Sequence, residues 1–223
     1  MSIDFLVNLC YIIQNMNLQN YYWYFKSAVP ERICDDIIKY GNLKKQKLAV
    51  TGPYQGRELS NKEVKDLKKT RDSNIVWLED TWIYKEIHPY VFEANKNAGW
   101  NFHWDHSESC QFTKYSKNQF YDWHNDGWDR PYKRENPNDP FHNKIRKLSV
   151  TVSLSNPKDY DGGELEFDFR NQIPTKNKKI KCTEILPKGS IVVFPSFVWH
   201  RVCPVKRGER YSLVIWNLGY PFK

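Results

Sequence analysis

His124, Asp126 and His200 are the residues with which chemistry can begin. The first two stand two positions apart in Tyr121-Asp122-Trp123-His124-Asn125-Asp126-Gly127-Trp128, a stretch rich in aromatic residues. On a β-strand, residues i and i+2 share a face. One imidazole nitrogen and one carboxylate oxygen would then be offered to the same ion. His200 lies in a second strand-like stretch, Ser190 to Val205. Two histidines and one carboxylate form the facial donor set of non-haem Fe(II) centres, which leaves coordination positions open for substrate and dioxygen. His-x-Asp also recurs by chance, so the pair takes its meaning from its surroundings.

A second His-x-Asp, His103-Trp104-Asp105, lies upstream with His106 beside it. We favour His124 and Asp126 because of the segment just downstream of them. A long polar loop, Gly127 to Lys147, carries Trp128, Arg130, Tyr132 and Lys133 together with Pro131, Pro137 and Pro140. Beside a metal, such a loop serves as a lid or substrate rim. His88, His103, His106 and His142 are read as structural or surface histidines. His200 has a companion in Arg210. Pro204-Val205-Lys206-Arg207-Gly208 resembles a turn, and a hairpin centred near residue 205 would set His200 and Arg210 opposite each other. Cross-strand partners share a face, and an arginine beside a metal-binding histidine can clamp a carboxylate bidentately. A dicarboxylate co-substrate that chelates the metal at its other end requires that arrangement. A surface arginine in a basic protein is the competing reading.

These residues need elements to position them. The chain of 223 residues is sized for one domain, 1–223, and its 40% apolar and 16% aromatic content favours a folded core. A net charge of +8 permits nucleic acid, an anionic membrane surface or an acidic co-substrate without choosing among them. Five cysteines (Cys10, Cys34, Cys110, Cys182, Cys203) at wide spacing indicate reduced thiols and neither a disulfide framework nor a zinc ribbon. Met1 to Ile13 is apolar but too short to span a bilayer and lacks a basic leader, so a cytoplasmic protein without a membrane partner is expected. Periodicity predicts an amphipathic helix over residues 1–18, a strand at Tyr21–Phe25 and a helix from Pro30 to Gly41. A capping box at Ser60–Glu63, a strand from Asn74 to Leu78 and a helix from Asp80 to Asn97 kinked or restarted at Pro89 come next, with Gly99 as the stop. Beyond Gly99 the pattern turns to short alternating strands; in Lys147–Leu154 the residues Leu148, Val150, Val152 and Leu154 share one face, and Ser149, Thr151 and Ser153 the other. The expected class is α+β, mainly β. Residues 1–99 supply mostly helical support, and residues 100–223 a double-stranded β-helix, or jelly roll.

Several further segments fall into one order: Gln111 and Tyr115, Tyr121–Asp126, Lys147–Leu154, Asp161-Gly162-Gly163-Glu164-Leu165, Gly189–Pro195, and His200-Arg201-Val202 through Gly208-Glu209-Arg210. In this order the chain, from Trp100 to Trp216, resembles the prolyl 4-hydroxylase-like branch of the 2-oxoglutarate- and Fe(II)-dependent oxygenases. The resemblance implies iron held by His124, Asp126 and His200, and the distal carboxylate of 2-oxoglutarate held by Arg210. It implies that Tyr115 hydrogen-bonds the co-substrate. Some relatives place a second tyrosine on the strand after the loop; here Ser149, Thr151 and Ser153 offer hydroxyls instead, and which one assists is open. It further implies dioxygen as oxidant, ascorbate as an available reductant, release of succinate and CO2, and hydroxylation of a prolyl residue in a peptide or protein. Trp128, Arg130 and Tyr132 would line the substrate. Alternatives are the same chemistry on a free amino acid or small metabolite, and nucleic-acid demethylation. Lys44–Lys47, Lys68-Lys69 and Lys176–Lys179 would serve the latter, but they are scattered and no base-reading motif accompanies them. A non-catalytic jelly-roll binding module would carry a damaged triad, whereas all three ligands are present.

Overall fold

The computed structural model describes residues 18–51, 54, 56–127, 130–170 and 179–222. The helix expected over residues 1–18 therefore lies almost wholly outside the described residues, as does Trp128. Three helices are described: α1 (Glu31–Leu43), α2 (Asn61–Leu67) and α3 (Thr81–Asn97). The strands are β1 (Trp23–Phe25), β2 (Lys47–Leu48), β3 (Arg71–Asp72), β4 (Asn74–Leu78), β5 (His106–Ser107), β6 (Cys110–Tyr115), β7 (Phe120–His124) and β8 (Ile145–Ser153). They continue with β9 (Tyr160–Gly162), β10 (Leu165–Asp168), β11 (Ile180–Lys181), β12 (Ile191–Pro195), β13 (Trp199–Val202), β14 (Val205–Gly208) and β15 (Arg210–Gly219).

The strands form two facing sheets and a small ribbon. The larger sheet runs β1-β12-β8-β15-β6-β4-β2, with β5 also on β15; the smaller runs β11-β10-β13-β7-β3; β14 pairs with β9. All pairs are antiparallel. This is the expected jelly roll. The first hundred residues are less purely supportive than their periodicity suggests. They add β1, β2 and β4 to the larger sheet and β3 to the smaller.

The helices cover the outer face of the larger sheet. Ile33, Cys34 and Ile37 of α1 and Ile83, Ile87, Val91 and Ala94 of α3 join Phe112, Leu148, Val150, Val152, Ile191, Val193, Leu213 and Ile215 in one buried cluster. Each fully buried aliphatic side chain contributes roughly 1.5–3 kcal/mol. That sum explains why α3 runs unbroken through Pro89, where a kink or restart is predicted. Pro89 and Lys85, whose carbonyl loses its partner, both face solvent, while the buried stripe continues on the other side. Ser60 and Glu63 close the predicted capping box on α2. Gly99 ends the α3 region at φ +76°, a backbone conformation open to glycine.

Gly41 does not close α1; it lies inside the helix, buried. A Cβ there would sit 2.5 Å from the ring of Phe112, itself fully buried with no room to withdraw. Gly41→Ala should therefore destabilise the protein by about 1–3 kcal/mol through overpacking, despite alanine's ~1 kcal/mol advantage in helices. A lowered thermal midpoint checks this; an unchanged or raised midpoint would show that α1 can slide away from the sheet.

Candidate metal centre and co-substrate pocket

The smaller sheet brings the two histidines together. In the β13–β7 ladder His200 is the direct partner of His124, and the register shifts between His200 and Val202. Their ring centroids stand 4.1 Å apart. Each Nδ1 is fixed by a backbone carbonyl: Asp122 O at 2.7 Å for His124 and Val198 O at 3.0 Å for His200. A carbonyl only accepts, so both Nδ1 atoms carry the proton and both Nε2 atoms present lone pairs.

Asp126 completes the cluster from just beyond β7. His124 Nε2 lies 3.8 Å from its Oδ1 and His200 Nε2 3.5 Å from its Oδ2. One ligand atom from each residue falls within 4.8 Å of the others, and no other such trio occurs among the described residues. Asp126 is tied to the larger sheet's side. Its amide donates to Ser196 O at 2.8 Å, Ser149 Oγ donates to its Oδ2 at 2.8 Å, and Ser149 and Ser196 share a hydroxyl contact at 3.0 Å. Burial drives the His124 imidazole well below its ordinary pKa, with His200 adding to the effect. For Asp126 burial acts upward, but the facing His200, His124 and Arg146 outweigh it and hold the carboxyl at about 2. Neutral imidazoles and an ionised carboxylate are the ligating forms. The donor set, tautomers and charge fit a divalent iron.

Arg210 and Tyr115 are direct partners across β15 and β6. The guanidinium carbon lies 5.5 Å from the Tyr115 ring centre. Arg210 is 3% exposed, donates to Ser212 Oγ at 3.3 Å, and has no carboxylate partner among the described residues. A buried guanidinium without an anion is a fit for a carboxylate-bearing co-substrate. Gly163, at φ +63°, leaves the space: a Cβ there would approach Arg210 Cδ to 2.8 Å.

The predicted hairpin that set His200 opposite Arg210 does not form. His200 faces His124 and Phe167 in the smaller sheet, whereas Arg210 faces Tyr115 in the larger one. Between them Val205–Gly208 is a strand of its own, paired with β9, because the chain is crossing from one sheet to the other. Of the strand hydroxyls, Ser149 is engaged by Asp126, while Thr151 is buried with no such bond. Tyr132 is half-buried and donates to Glu108 Oε1 at 2.8 Å. Its backbone pairs with Asn143 and Lys144, so this part of the loop is braced. Arg130 is exposed. At the upstream His-x-Asp, His103 is exposed and Asp105 pairs with Lys144 at 2.6 Å, apart from the cluster.

Three residues beside the cluster carry little sequence signal. Arg146, just before the clean alternation of β8, is bidentate to Glu108 and lies 3.9 Å over the Trp216 ring. Arg71 stacks 4.3 Å over Tyr121, which in turn stacks 3.5 Å on His124. Trp77 faces Trp216 at 6.1 Å. They border a cavity of about 190 Å³ that opens beside Asp126. A charged residue inside a strand-like stretch was the available clue for the two arginines.

A family model described as the 2OG-Fe(II) oxygenase superfamily matches residues 110–217. A PKHD-type hydroxylase of Prochlorococcus marinus (strain MIT 9515) is 30% identical over 189 residues, covering 82% of this chain and 72% of the relative. The chain belongs to the 2OG-Fe(II) oxygenase superfamily. Other curated PKHD-type relatives are matched over only 27% to 42% of their own length. Among solved structures, a Pseudomonas putida prolyl-4-hydroxylase superposes on the oxygenase with a TM-score of 0.61 at 18% identity, covering 95% of this chain and 98% of that one. A viral collagen prolyl hydroxylase from Paramecium Bursaria Chlorella virus-1, solved as its 2OG complex, gives 0.58 at 20% identity, covering 90% and 97%. At such identities the likeness concerns the fold. The cofactors of the superfamily, Fe(II) and 2-oxoglutarate, fit the donor set of this oxygenase.

Ser149 ties Asp126, a candidate ligand, from one sheet to the other. Ser149→Ala should weaken metal affinity about 10–100-fold by releasing Asp126. Competition against a fluorescent chelator measures it, and an unchanged affinity would mean that the serine pair positions nothing.

Proposed function

We propose that the protein is a dioxygenase that hydroxylates a prolyl residue of a peptide or protein, using Fe(II) held by His124, Asp126 and His200. Arg210 would hold the distal carboxylate of 2-oxoglutarate, with Tyr115 beside it and Thr151 as the free strand hydroxyl. Iron, 2-oxoglutarate and dioxygen together supply the oxidation of a C–H bond, with succinate and CO2 as by-products. The chain's own residues do the positioning. The carbonyls of Asp122 and Val198 orient the imidazoles, Ser149 orients Asp126, and Arg210 and Tyr115 direct the co-substrate.

The observation that carries the prolyl reading is the cavity beside Asp126. Trp216 and the 46% exposed Trp77 give it flat aromatic walls suited to a small saturated ring. On the same wall Arg71 Nη2 is buried without a hydrogen-bond partner, and a peptide carbonyl would satisfy it. The hydroxylase names of the PKHD-type relatives support the same reaction type. Arg130 and the neighbouring Trp128 remain our candidates for the substrate rim, while Tyr132 would brace it. We take residues 1–223 as one domain and place it in the cytoplasm. No helix among the described residues is long and apolar enough to cross a membrane.

Arg210→Ala should raise the 2-oxoglutarate requirement about tenfold to hundredfold, the worth of a charged hydrogen bond, while iron stays bound. An unchanged requirement would remove Arg210 from the pocket. The substrate is tested by succinate release with proline-containing peptides, free amino acids and methylated oligonucleotides, at low and moderate salt. Peptides alone should stimulate. Stimulation by oligonucleotides with a steep salt slope would instead mark phosphate contacts and counterion release.

A further inference from the structure

A second cavity, of about 670 Å³, lies between the segment Asn101–Asp105 and the chain's last described residues, Tyr220–Phe222. It shares no lining residue with the cavity beside Asp126. Phe102, Trp104, Tyr220 and Phe222 make its walls aromatic, and the ammonium on them is that of Lys147. The lysine owes its position to an irregularity of β8. Leu148 faces Asn217 and Arg146 faces Leu218, so Lys147 is the extra residue of a β-bulge in β8 opposite β15. Regular alternation would turn it to the same face as Ser149, toward the metal ligands. The bulge re-aims it.

Lys147 is 4% exposed. Its Nζ sits 3.4 Å from the centre of the Phe222 ring, and no carboxylate among the described residues pairs with it. Asp105, the acid on the same wall, is taken by Lys144 at 2.6 Å. Burial pushes the Lys147 amine down to about 8 with nothing acting against it. Every other interior cation of comparable burial has a reason for its place. Lys144 has Asp105, Arg146 has Glu108, and Arg71 and Arg210 face the active-site region. An ammonium drawn largely out of bulk water, at the mouth of an apolar cavity, is costly unless an anion meets it.

We propose that this cavity is a second binding site, for a small amphipathic organic acid whose carboxylate meets Lys147 and whose apolar body lies against Phe102, Trp104 and Phe222. The aromatic walls supply affinity through burial of apolar surface, and the ammonium selects the acid over its neutral counterparts.

The test uses 4-phenylbutyrate and its uncharged amide, titrated by calorimetry into the Fe(II)-loaded protein, anaerobically and with saturating 2-oxoglutarate so that the co-substrate pocket is filled. The acid should bind at least about tenfold more tightly than the amide. Lys147→Met should reduce the acid to the affinity of the amide, and Arg210→Ala should leave acid binding intact. Should the methionine variant fail to fold, the wild type still decides: ligand-induced NMR shifts must fall on Trp104 and Phe222 and spare Tyr121 and Trp216. No binding of the acid, equal binding of acid and amide, or shifts confined to the metal-side residues would overturn the proposal.

Discussion

The hydrogen bond from Ser149 to Asp126 joins the two sheets at the one place where they must agree. Both histidines stand on the smaller sheet and are set against each other by its ladder. The carboxylate comes just after β7 but is held by β8 and by Ser196, the residue after β12, both on the larger sheet. A cluster drawn from one layer and braced by the other keeps its geometry only while the layers keep their spacing. The helices α1 and α3 serve that purpose, since their buried stripes lock the outer face of the larger sheet.

That packing has a chemical consequence. Beneath the helices the outer face of the larger sheet is apolar, while its inner face carries Gln111, Thr113, Ser149, Thr151, Arg210 and Ser212, all buried. Buried polar groups are tolerable when they are hydrogen-bonded or when a ligand completes them. Ser149 and Gln111 are satisfied within the protein. Arg210 and Arg71 are not paired with a carboxylate, and both lie toward the metal side. The positive character of the site is thus local and directional, unlike the +8 net charge, which is spread along the chain.

Bulges and crossings do the remaining positioning. The register shifts after His200, β13 stays in the smaller sheet as far as Val202, and the ribbon β14–β9 then carries the chain across. The shift at Lys147 diverts a cation from the metal side and leaves Arg146, one residue earlier, beside Trp216. The irregularity at Lys147 changes which way a charged side chain points, two residues from Ser149 and its bond to Asp126.

Residue order alone was enough to name the candidate metal ligands and the class of fold. The two-residue spacing of His124 and Asp126 and the alternation from Leu148 are local features; the alternation survives as β8, while Asp126 reaches the cluster from just beyond β7. The capping box at Ser60 and the strand Asn74–Leu78 are legible for the same reason. Continuity through Pro89 was not, because tertiary burial outweighs the local cost. It took the folded chain to show that the polar face of β8 is buried rather than wet. Period-two alternation says that two faces differ and not what covers them. The fold also assigns His200 and Arg210 to different sheets. Strand pairing is a long-range matter, and ten residues of sequence read equally well as a hairpin or as a crossing. Arg71, Arg146 and Trp77 reach the site from β3, β8 and β4, a convergence that no spacing in the chain encodes.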